Sequence, residues 1–258
     1  MRFSANLGFL WTDLALPDAI RAAHVAGFAA VELHWPYDTP AAAVRAALDE
    51  TGLPVLGLNT SRGNVAAGEN GLSAVAGREG DARAAIDQAL DYAQEIGAGA
   101  VHVMAGRVVA PNDSHVAALG AYLNNLEYAC DRAAKRGMTI LIEPLNPHDA
   151  PDYFLKDANQ AVDIINDIGR RNLKLMFDCY HVQRSLGDLT HRLRDLLPVI
   201  GHIQFASVPD RGTPDHGEVN YAYIFAHIAA LGYDAPLGAE YKPAGATADS
   251  LAWLKNLS

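Results

Sequence analysis

A closed α/β barrel, with eight parallel strands and their helices in one domain covering residues 1–258, is the fold class that this sequence predicts. The first observation is length, because 258 residues are close to the usual size of a single barrel of this kind. The second is the alternation of short apolar segments with helix-like segments along the whole chain. The third is that oxygen-bearing side chains follow several apolar segments, as expected where strand ends meet at a barrel mouth.

The strands are predicted from short apolar runs that end in polar residues or turns. In chain order they cover residues 2–6, 28–33, 53–58, 100–104, 139–142, 173–178, 199–206 and 235–240. The third strand leads into a long loop, residues 59–80, which contains Glu69 and Arg78. Loops of this length inside a compact domain are commonly lids or binding elements, so we expect this loop to contribute to function.

The helices are predicted from apolar residues at three- and four-residue spacing between start and stop signals. Pro17 suits the first turn of the first helix, and Thr39 with Pro40 forms an N-cap and first-turn pair for the second. Later helices have the predicted N-caps Ser114, Asp157 and Asn220. The predicted helices cover residues 17–27, 40–52, 81–96, 115–137, 158–168, 189–197, 221–232 and 247–257.

Composition limits the classes of partner and compartment. The formal net charge is −10 and no run of Lys and Arg occurs, which opposes binding to nucleic acid. The chain shows neither a leader-like N-terminal region nor a membrane-length apolar segment, so we expect a cytoplasmic protein that does not enter a membrane. Cys130 and Cys179 are expected to pack in the core rather than to form a disulfide framework.

Four predicted strand ends present oxygen ligands. The apolar segment 139–142 runs directly into Glu143, and the eighth strand runs into Glu240 in the same way. Asp178 and Gln204 lie at the ends of strands six and seven. Any one of these carboxylates alone could be a surface or ion-paired group, but strand ends of a closed barrel converge on one mouth. Their shared position therefore predicts a site for a hard divalent cation, Mg²⁺ or Mn²⁺.

The same carboxylates can move protons. A metal that polarises a carbonyl and its neighbouring hydroxyl makes the adjacent C–H acidic enough for a positioned carboxylate to remove its proton. A second carboxylate can return the proton to the next carbon, which is aldose–ketose isomerisation through an enediolate. Glu143 and Glu240 are the predicted acid–base pair, with their roles set by the direction of reaction. This chemistry requires no organic cofactor.

Long motifs in the chain resemble the hydroxypyruvate isomerases of the xylose-isomerase-like TIM barrel superfamily. The segments that carry the resemblance are IEPLNPHDAPDYFL, FDCYHVQRSLGDLT, HIQFASVPDRGTPDHGEVNY and GAEYKPAGATADSLAWL. Shorter matches at RFSANL, VELHWPYD, AAGENGLSAVAGRE and HVMAG extend it over essentially the whole chain. The resemblance implies isomerisation of hydroxypyruvate to tartronate semialdehyde, with Glu143 and Glu240 as acid–base residues and a metal held by Glu143, Asp178, Gln204 and Glu240.

Further candidate site residues lie near the predicted mouth. His181 stands three residues after Asp178, where related barrel isomerases and epimerases place a substrate-binding histidine. Arg211, in the loop after strand seven, can bind a substrate carboxylate through a two-pronged ion pair, although a solvated loop arginine is the alternative. Glu69 and His102 are predicted as walls of the substrate pocket.

Three alternatives remain at this stage. The 2-oxo-tetronate isomerases share this framework, and HVMAG resembles their version of strand four. The loop residues 59–63 depart from the proline-rich loop of both groups. Metal-dependent endonucleases of the superfamily place a histidine where this chain has Gln204. A sugar-acid binding protein would need only one competent carboxylate. We therefore expect a small hydroxy-keto acid as substrate, in an enzyme whose fold is also compatible with homo-oligomers.

Overall fold

The computed structural model describes residues 1–109 and 114–257, and it confirms the predicted barrel. The strands of these described residues are β1 (Phe3–Asn6), β2 (Ala30–Glu32), β3 (Gly57–Asn59), β4 (Ala100–His102), β5 (Thr139–Ile142), β6 (Leu173–Asp178), β7 (Ile200–Phe205) and β8 (Leu237–Ala239). They form one parallel sheet in the order β2-β1-β8-β7-β6-β5-β4-β3.

The two ends of this sheet order, β2 and β3, lie side by side and close the barrel. Leu56 donates its backbone N–H to the carbonyl of Val31 (2.9 Å), and Val31 donates to the carbonyl of Pro54 (3.0 Å). The regular strand β3 begins later than the predicted residue 53. Pro54 has no N–H to donate to a neighbouring strand, and Val55 forms an isolated parallel bridge to Val31.

Helices cover the outside of the barrel and connect successive strands. They are α1 (Leu16–Val25), α2 (Ala41–Thr51), α3 (Glu79–Ile96), α4 (His115–Ala134), α5 (Ala158–Ile168), α6 (Cys179–Ser185), α7 (Leu189–Leu196), α8 (Tyr221–Ala230) and α9 (Trp253–Asn256). Within the part of the chain that is described, no helix combines the length and the apolar character that crossing a membrane requires.

The predicted N-caps have different outcomes. The carboxylate of Asp157 accepts hydrogen bonds from two backbone N–H groups of α5, and Asn220 accepts one from α8, so both are confirmed. Ser114 occupies the N-cap position of α4 but its side chain makes no capping bond. The prediction of Thr39 as the N-cap of α2 was wrong. Pro40 is the N-cap and its ψ of 130° is extended, so α2 begins one residue later, at Ala41.

Two helical predictions are corrected near the mouth and the C-terminus. Helix α6 follows β6 without a connecting loop and was not predicted, because its seven residues, CYHVQRS, are too few to show a helical repeat of apolar residues. The predicted last helix is divided into a 3₁₀ turn, Thr247–Ser250, and the short helix α9. Helix α6 matters for function, since it begins directly after Asp178.

An aromatic cluster packs the outer face of β1, β7 and the C-terminal helix together. The ring centres of Phe3 and Trp253 lie 5.0 Å apart, and those of Phe205 and Phe225 lie 4.9 Å apart. Trp253 is completely buried, so it anchors the C-terminal segment to the barrel. Cys130 and Cys179 are free and buried, as predicted.

Candidate active site

Four polar side chains meet in the interior of the barrel at its carboxyl-terminal end. Glu143 and Glu240 directly follow β5 and β8, Asp178 ends β6, and His181 lies on the first turn of α6. One ligand atom from each of the four lies within 4.8 Å of the others. All four residues are buried, with exposed fractions between 1% for Asp178 and 6% for Glu143. The convergence expected from strand-end positions therefore brings both predicted catalytic glutamates and Asp178 together.

Glu240 is surrounded by donors and a cation. Its Oε1 accepts hydrogen bonds from Nδ2 of Asn6 (3.0 Å) and from the amide of Gln204 (3.5 Å), and lies 2.9 Å from Nε2 of His34. Its Oε2 pairs with the guanidinium of Arg211. Burial alone would raise the pKa of Glu240, but Arg211 and His34 outweigh it and hold the pKa below its ordinary value. Glu240 is therefore an ionised carboxylate.

Glu143 and Asp178 have the opposite environment. Oε1 of Glu143 and Oδ2 of Asp178 are buried without a hydrogen-bond partner. Burial, followed by the charges of Glu240 and Asp178, raises the pKa of Glu143 well above its ordinary value. Burial and the charge of Glu240 raise the pKa of Asp178 to about 7. Without an added positive charge, these two carboxyl groups are thus drawn toward the protonated form.

These oxygens fit a divalent cation. Three carboxylates face one another at short range, and two of them carry an unpartnered buried oxygen. A buried charge without a partner is costly, and an oxygen-rich donor set is the kind that hard divalent ions bind. A cation at this position would satisfy both oxygens and reverse the upward pKa shifts. The chemistry of the donor set is therefore suited to a metal site.

His181 is held in one tautomer. Its Nδ1 accepts a hydrogen bond of 3.0 Å from the backbone N–H of Asn146, a donor that cannot reverse its role. Burial, with a smaller effect of Arg211, lowers the pKa of His181 to about 3, so the ring is neutral. A neutral imidazole carries one hydrogen, which must then lie on Nε2. Nε2 faces Asp178 and Glu143 at 3.7 and 3.9 Å, which is beyond hydrogen-bond distance, and among the described residues it has no hydrogen-bond partner. With its hydrogen on Nε2, the ring offers a free donor there instead of a lone pair for a metal.

Gln204 lies behind Glu240, on the strand next to Asp178. The two residues are register partners of β7 and β6. The Nε2 of Gln204 donates to Glu32 at 2.7 Å, and its Oε1 is buried without a partner. Gln204 thus carries a third buried oxygen without a partner, on a side chain whose amide nitrogen contacts Glu240.

Arg211 spans the carboxylates from the loop after β7. Its guanidinium pairs with Glu240 and lies 3.7 Å from Oδ2 of Asp178. The guanidinium carbon lies 4.7 Å from the ring centre of Phe9 and 5.0 Å from that of Tyr180. Cation–π contacts with both rings hold the charge at the mouth. Arg211 is therefore part of the site, although its charge is directed at the protein's own carboxylates.

The two predicted wall residues are separated by the fold. His102 is buried, with Nδ1 at 3.2 Å from Oδ1 of Asn59 and at 3.7 Å from Oε2 of Glu143. Burial lowers the pKa of His102 to about 4, so it is neutral. Glu69 instead accepts hydrogen bonds from Arg78 and from the backbone of its own loop. The side chain of Glu69 stabilises the loop and is not brought to the carboxylates.

A cavity of about 180 Å³ opens above these groups. Its lining includes Glu143, His181, Arg211, Glu240 and His102, as the sequence predicts, together with Phe9, His34, Trp35, Asn59, Asn70, Met104, Leu145, Asp149 and Ala150. His34 and Asn59 were not predicted as site residues. Their position after β2 and at the end of β3 was the available signal.

A second cavity, of about 340 Å³, occupies the barrel axis beneath this site. Its wall includes Gly57, Ala100 and Gly201, which are too small to fill the barrel interior. Glu32 lies in the same wall, with Nε2 of His202 at 3.1 Å from its carboxylate. Burial would lower the pKa of His202, but Glu32 outweighs it and the pKa rises. The floor of the active site is therefore a second polar layer, which contacts Glu240 through Gln204.

Comparison with known proteins identifies the family. Residues 20–257 match the model of the xylose isomerase-like TIM barrel family. A 2-oxo-tetronate isomerase of Cupriavidus necator is 45% identical over 98% of this chain and 97% of its own length. A hydroxypyruvate isomerase of Escherichia coli is 35% identical over 98% of both chains. A solved structure from Brucella melitensis, named as a family 2 AP endonuclease, is 36% identical with a TM-score of 0.95, covering 99% of this chain and 98% of that one. The chain belongs to the xylose isomerase-like TIM barrel family, and it is an isomerase.

Proposed function

We propose that this chain interconverts a 2-keto-3-hydroxy acid with its 3-keto-2-hydroxy isomer, using a divalent cation and the pair Glu143 and Glu240. The observation that carries the proposal is the meeting of these two buried glutamates with Asp178 in one cluster, although they follow different strands. Two carboxylates at this range can act on the same small molecule, one removing a proton and the other returning it.

The proposed cation is Mg²⁺ or Mn²⁺, held by oxygens of Glu143, Asp178, Gln204 and Glu240. When bound, it would polarise the substrate carbonyl and the neighbouring hydroxyl. One glutamate then removes the proton on C3, which leaves an enediolate across C2 and C3. The other glutamate delivers a proton to C2, and the hydroxyl proton moves from the C3 oxygen to the C2 oxygen. No oxidant, reductant or organic cofactor is needed.

His181 supplies a neutral hydrogen-bond donor to this reaction. Its Nε2–H is directed into the carboxylate cluster, because Asn146 occupies Nδ1. A neutral donor stabilises the developing negative charge on a substrate oxygen without competing for the proton that is transferred. We assign His181 to the substrate rather than to the metal.

Two acids are candidate substrates for the same proton transfer. Hydroxypyruvate would give tartronate semialdehyde, and it is the substrate that the long sequence motifs favour. The four-carbon acid 2-oxo-tetronate differs only by a hydroxymethyl group on C3, and the 45% identical relative is named for it. A cavity of about 180 Å³ is large enough for either small acid.

A nuclease function is not supported by the site. The chain has a net charge of −10, and the cation Arg211 at the centre of the mouth is paired with Glu240. Duplex DNA requires a surface that neutralises phosphates. A binding protein without catalysis is also disfavoured, because it would need only one of the two buried glutamates.

The experiment uses the metal-loaded protein in deuterium oxide with each acid in turn. Proton NMR should show the isomeric acid forming, with deuterium at C2 where proton exchange competes with direct transfer. The acid with the larger kcat/KM is the preferred substrate. If a folded, metal-bound protein gave neither turnover nor exchange with both acids, the proposed function would be wrong.

A further inference from the structure

The charges of the active site balance one another, which leaves the carboxylate of an acid substrate without a positively charged partner. Glu143, Asp178 and Glu240 contribute three negative charges when ionised, and Arg211 with a divalent cation balances them. A 2-keto acid adds one more negative charge on its carboxylate. Under the proposed function, which this inference extends, another cation at the mouth must receive that carboxylate.

The other arginine close to the cluster is already paired. The guanidinium of Arg184 donates to Asp149 and to the hydroxyl of Tyr180, each at 2.6 Å. Asp149 lines the site cavity, so this pair contributes no net positive charge there. The missing cation must come from a different part of the mouth.

Arg62 is a cation whose guanidinium stacks on an aromatic ring. It lies three residues after β3, and its guanidinium carbon is 3.8 Å from the ring centre of Trp35. Across residues 1–109 and 114–257, no carboxylate forms an ion pair with it and no hydrogen bond uses its guanidinium. The residue is half-buried, so its charge is only partly solvated.

Arg62 is connected to two residues that line the cavity. Trp35 lines the cavity and is fixed by its own indole N–H, which donates to the carbonyl of Thr60 at 3.1 Å. The carbonyl of Arg62 accepts the N–H of Gly71 at 2.9 Å, and Asn70, the residue before Gly71, also lines the cavity. The backbone of Arg62 is thus anchored at the mouth, and Trp35 holds its planar head by stacking.

We propose that Arg62 binds the substrate carboxylate and makes the site selective for acids over neutral sugars. A guanidinium presents two parallel N–H groups to a carboxylate and remains charged at every working pH. Because Trp35 already orders the side chain, little rotamer freedom is lost on binding. Arg62 lies in the loop where the chain departs from the proline-rich pattern, so the assignment concerns this chain's own residues.

The test compares two small ligands that differ in one group, glycerate and glycerol, by isothermal titration calorimetry of the metal-loaded protein. Arg62→Gln should weaken glycerate binding roughly 10- to 100-fold, as expected for the loss of a charged hydrogen-bonding partner. Glycerol binding should be unchanged, and Arg62→Lys should recover part of the affinity for glycerate. Lys242→Gln is the matched control, because exposed Lys242 is another cation near the rim, 6.0 Å from the ring centre of Phe9. It should change glycerate binding less than about twofold.

Equal losses for glycerate and glycerol in Arg62→Gln, unchanged glycerate affinity, or a larger effect from Lys242→Gln would overturn the assignment. Circular dichroism and thermal melting establish that each variant is folded. Failure of the proposed isomerase reaction is a separate result. In that case the wild-type protein would turn over neither acid but would still bind glycerate in an Arg62-dependent manner.

Discussion

The backbone N–H of Asn146 and Nδ1 of His181 are joined by a hydrogen bond of 3.0 Å. Asn146 lies in the loop after β5, four residues from the end of that strand, and His181 lies on α6. This bond links the strand that delivers Glu143 to the helix that follows Asp178. It also fixes the hydrogen of the imidazole on Nε2, so proximity to three carboxylates does not make His181 a metal ligand.

Metal binding and turnover should therefore respond differently to two substitutions. His181→Asn is expected to keep Mn²⁺ affinity within a few-fold and to lower kcat roughly 10²- to 10³-fold, because one donor to a charged substrate oxygen is lost. Gln204→Leu should weaken Mn²⁺ binding by roughly tenfold or more. Mn²⁺ titration followed by electron paramagnetic resonance measures the first quantity, and steady-state kinetics the second. The opposite pattern would make His181 the ligand.

The two glutamates should both be required for turnover. Glu143→Gln and Glu240→Gln keep the side-chain volume and remove the transferable proton, so each should reduce kcat about 10²- to 10⁴-fold. The control is Glu69→Gln, because Glu69 pairs with Arg78 in the loop outside the cavity. Its rate should stay within a few-fold of the wild type. Near-normal turnover in either of the first two variants would require a different base.

The carboxyl group of Asp178 should contribute less to the stability of the metal-free protein as the pH rises from acid to neutral. The pKa of Asp178 is raised from 3.8 to about 7, so the unfolded chain releases this proton at a lower pH than the folded protein. Stability from this group is fully present below pH 3.8 and is lost as the pH rises to about 7, by at most about 1.4 kcal/mol per pH unit.

Thermal melts of the metal-free wild type and of Asp178→Asn between pH 5 and pH 8 isolate this contribution. The variant lacks the titrating group, so the melting temperature of the wild type relative to that of the variant should fall over that range. Added Mn²⁺ should stabilise the wild type more at pH 8 than at pH 5, because the cation competes with the proton for the same oxygens. Parallel pH profiles for the two metal-free proteins would contradict the raised pKa.

The N-cap residues of α5 and α4 allow a matched test of how much a capping hydrogen bond contributes to stability. Asp157 accepts two backbone hydrogen bonds at the start of α5, so Asp157→Ala should lower the free energy of unfolding by about 0.5–2 kcal/mol. Ser114 makes no such bond at the start of α4. Ser114→Ala should therefore change the free energy of unfolding by less than about 0.5 kcal/mol. Urea denaturation measures both, and equal losses would show that the cap bond is not the cause.

The sequence predicts the parts of this site that depend on strand position. Glu143, Asp178 and Glu240 could be found because each follows a short apolar run, and parallel strands deliver such residues to one mouth. The barrel itself is predicted for the same reason, since each strand and helix carries its own periodic pattern. Asp157 and Asn220 could be found as caps from residue type alone.

The remaining features depend on contacts between distant segments. The hydrogen-bond partner of Nδ1 of His181 is a backbone N–H 35 positions away. Almost every residue type has such a backbone N–H, so the sequence does not show which one will donate. Glu69 was predicted as a wall of the substrate pocket, but its carboxylate forms an ion pair with Arg78 of the same loop. Helix α6 was missed because seven residues are too few to show a helical repeat of apolar residues. Thr39 was wrongly predicted as the N-cap of α2, because Pro40 is also extended and the helix begins only at Ala41.

Asp178 joins the carboxylate cluster to helix α6. Its Oδ1 accepts the N–H of Tyr180 at 2.8 Å and so fixes the first turn of α6, while its Oδ2 belongs to the carboxylate cluster. A carboxylate that is anchored through one oxygen has little freedom to turn. The orientation of its second oxygen and the position of His181, three residues further along the same helix, are therefore set by one backbone hydrogen bond.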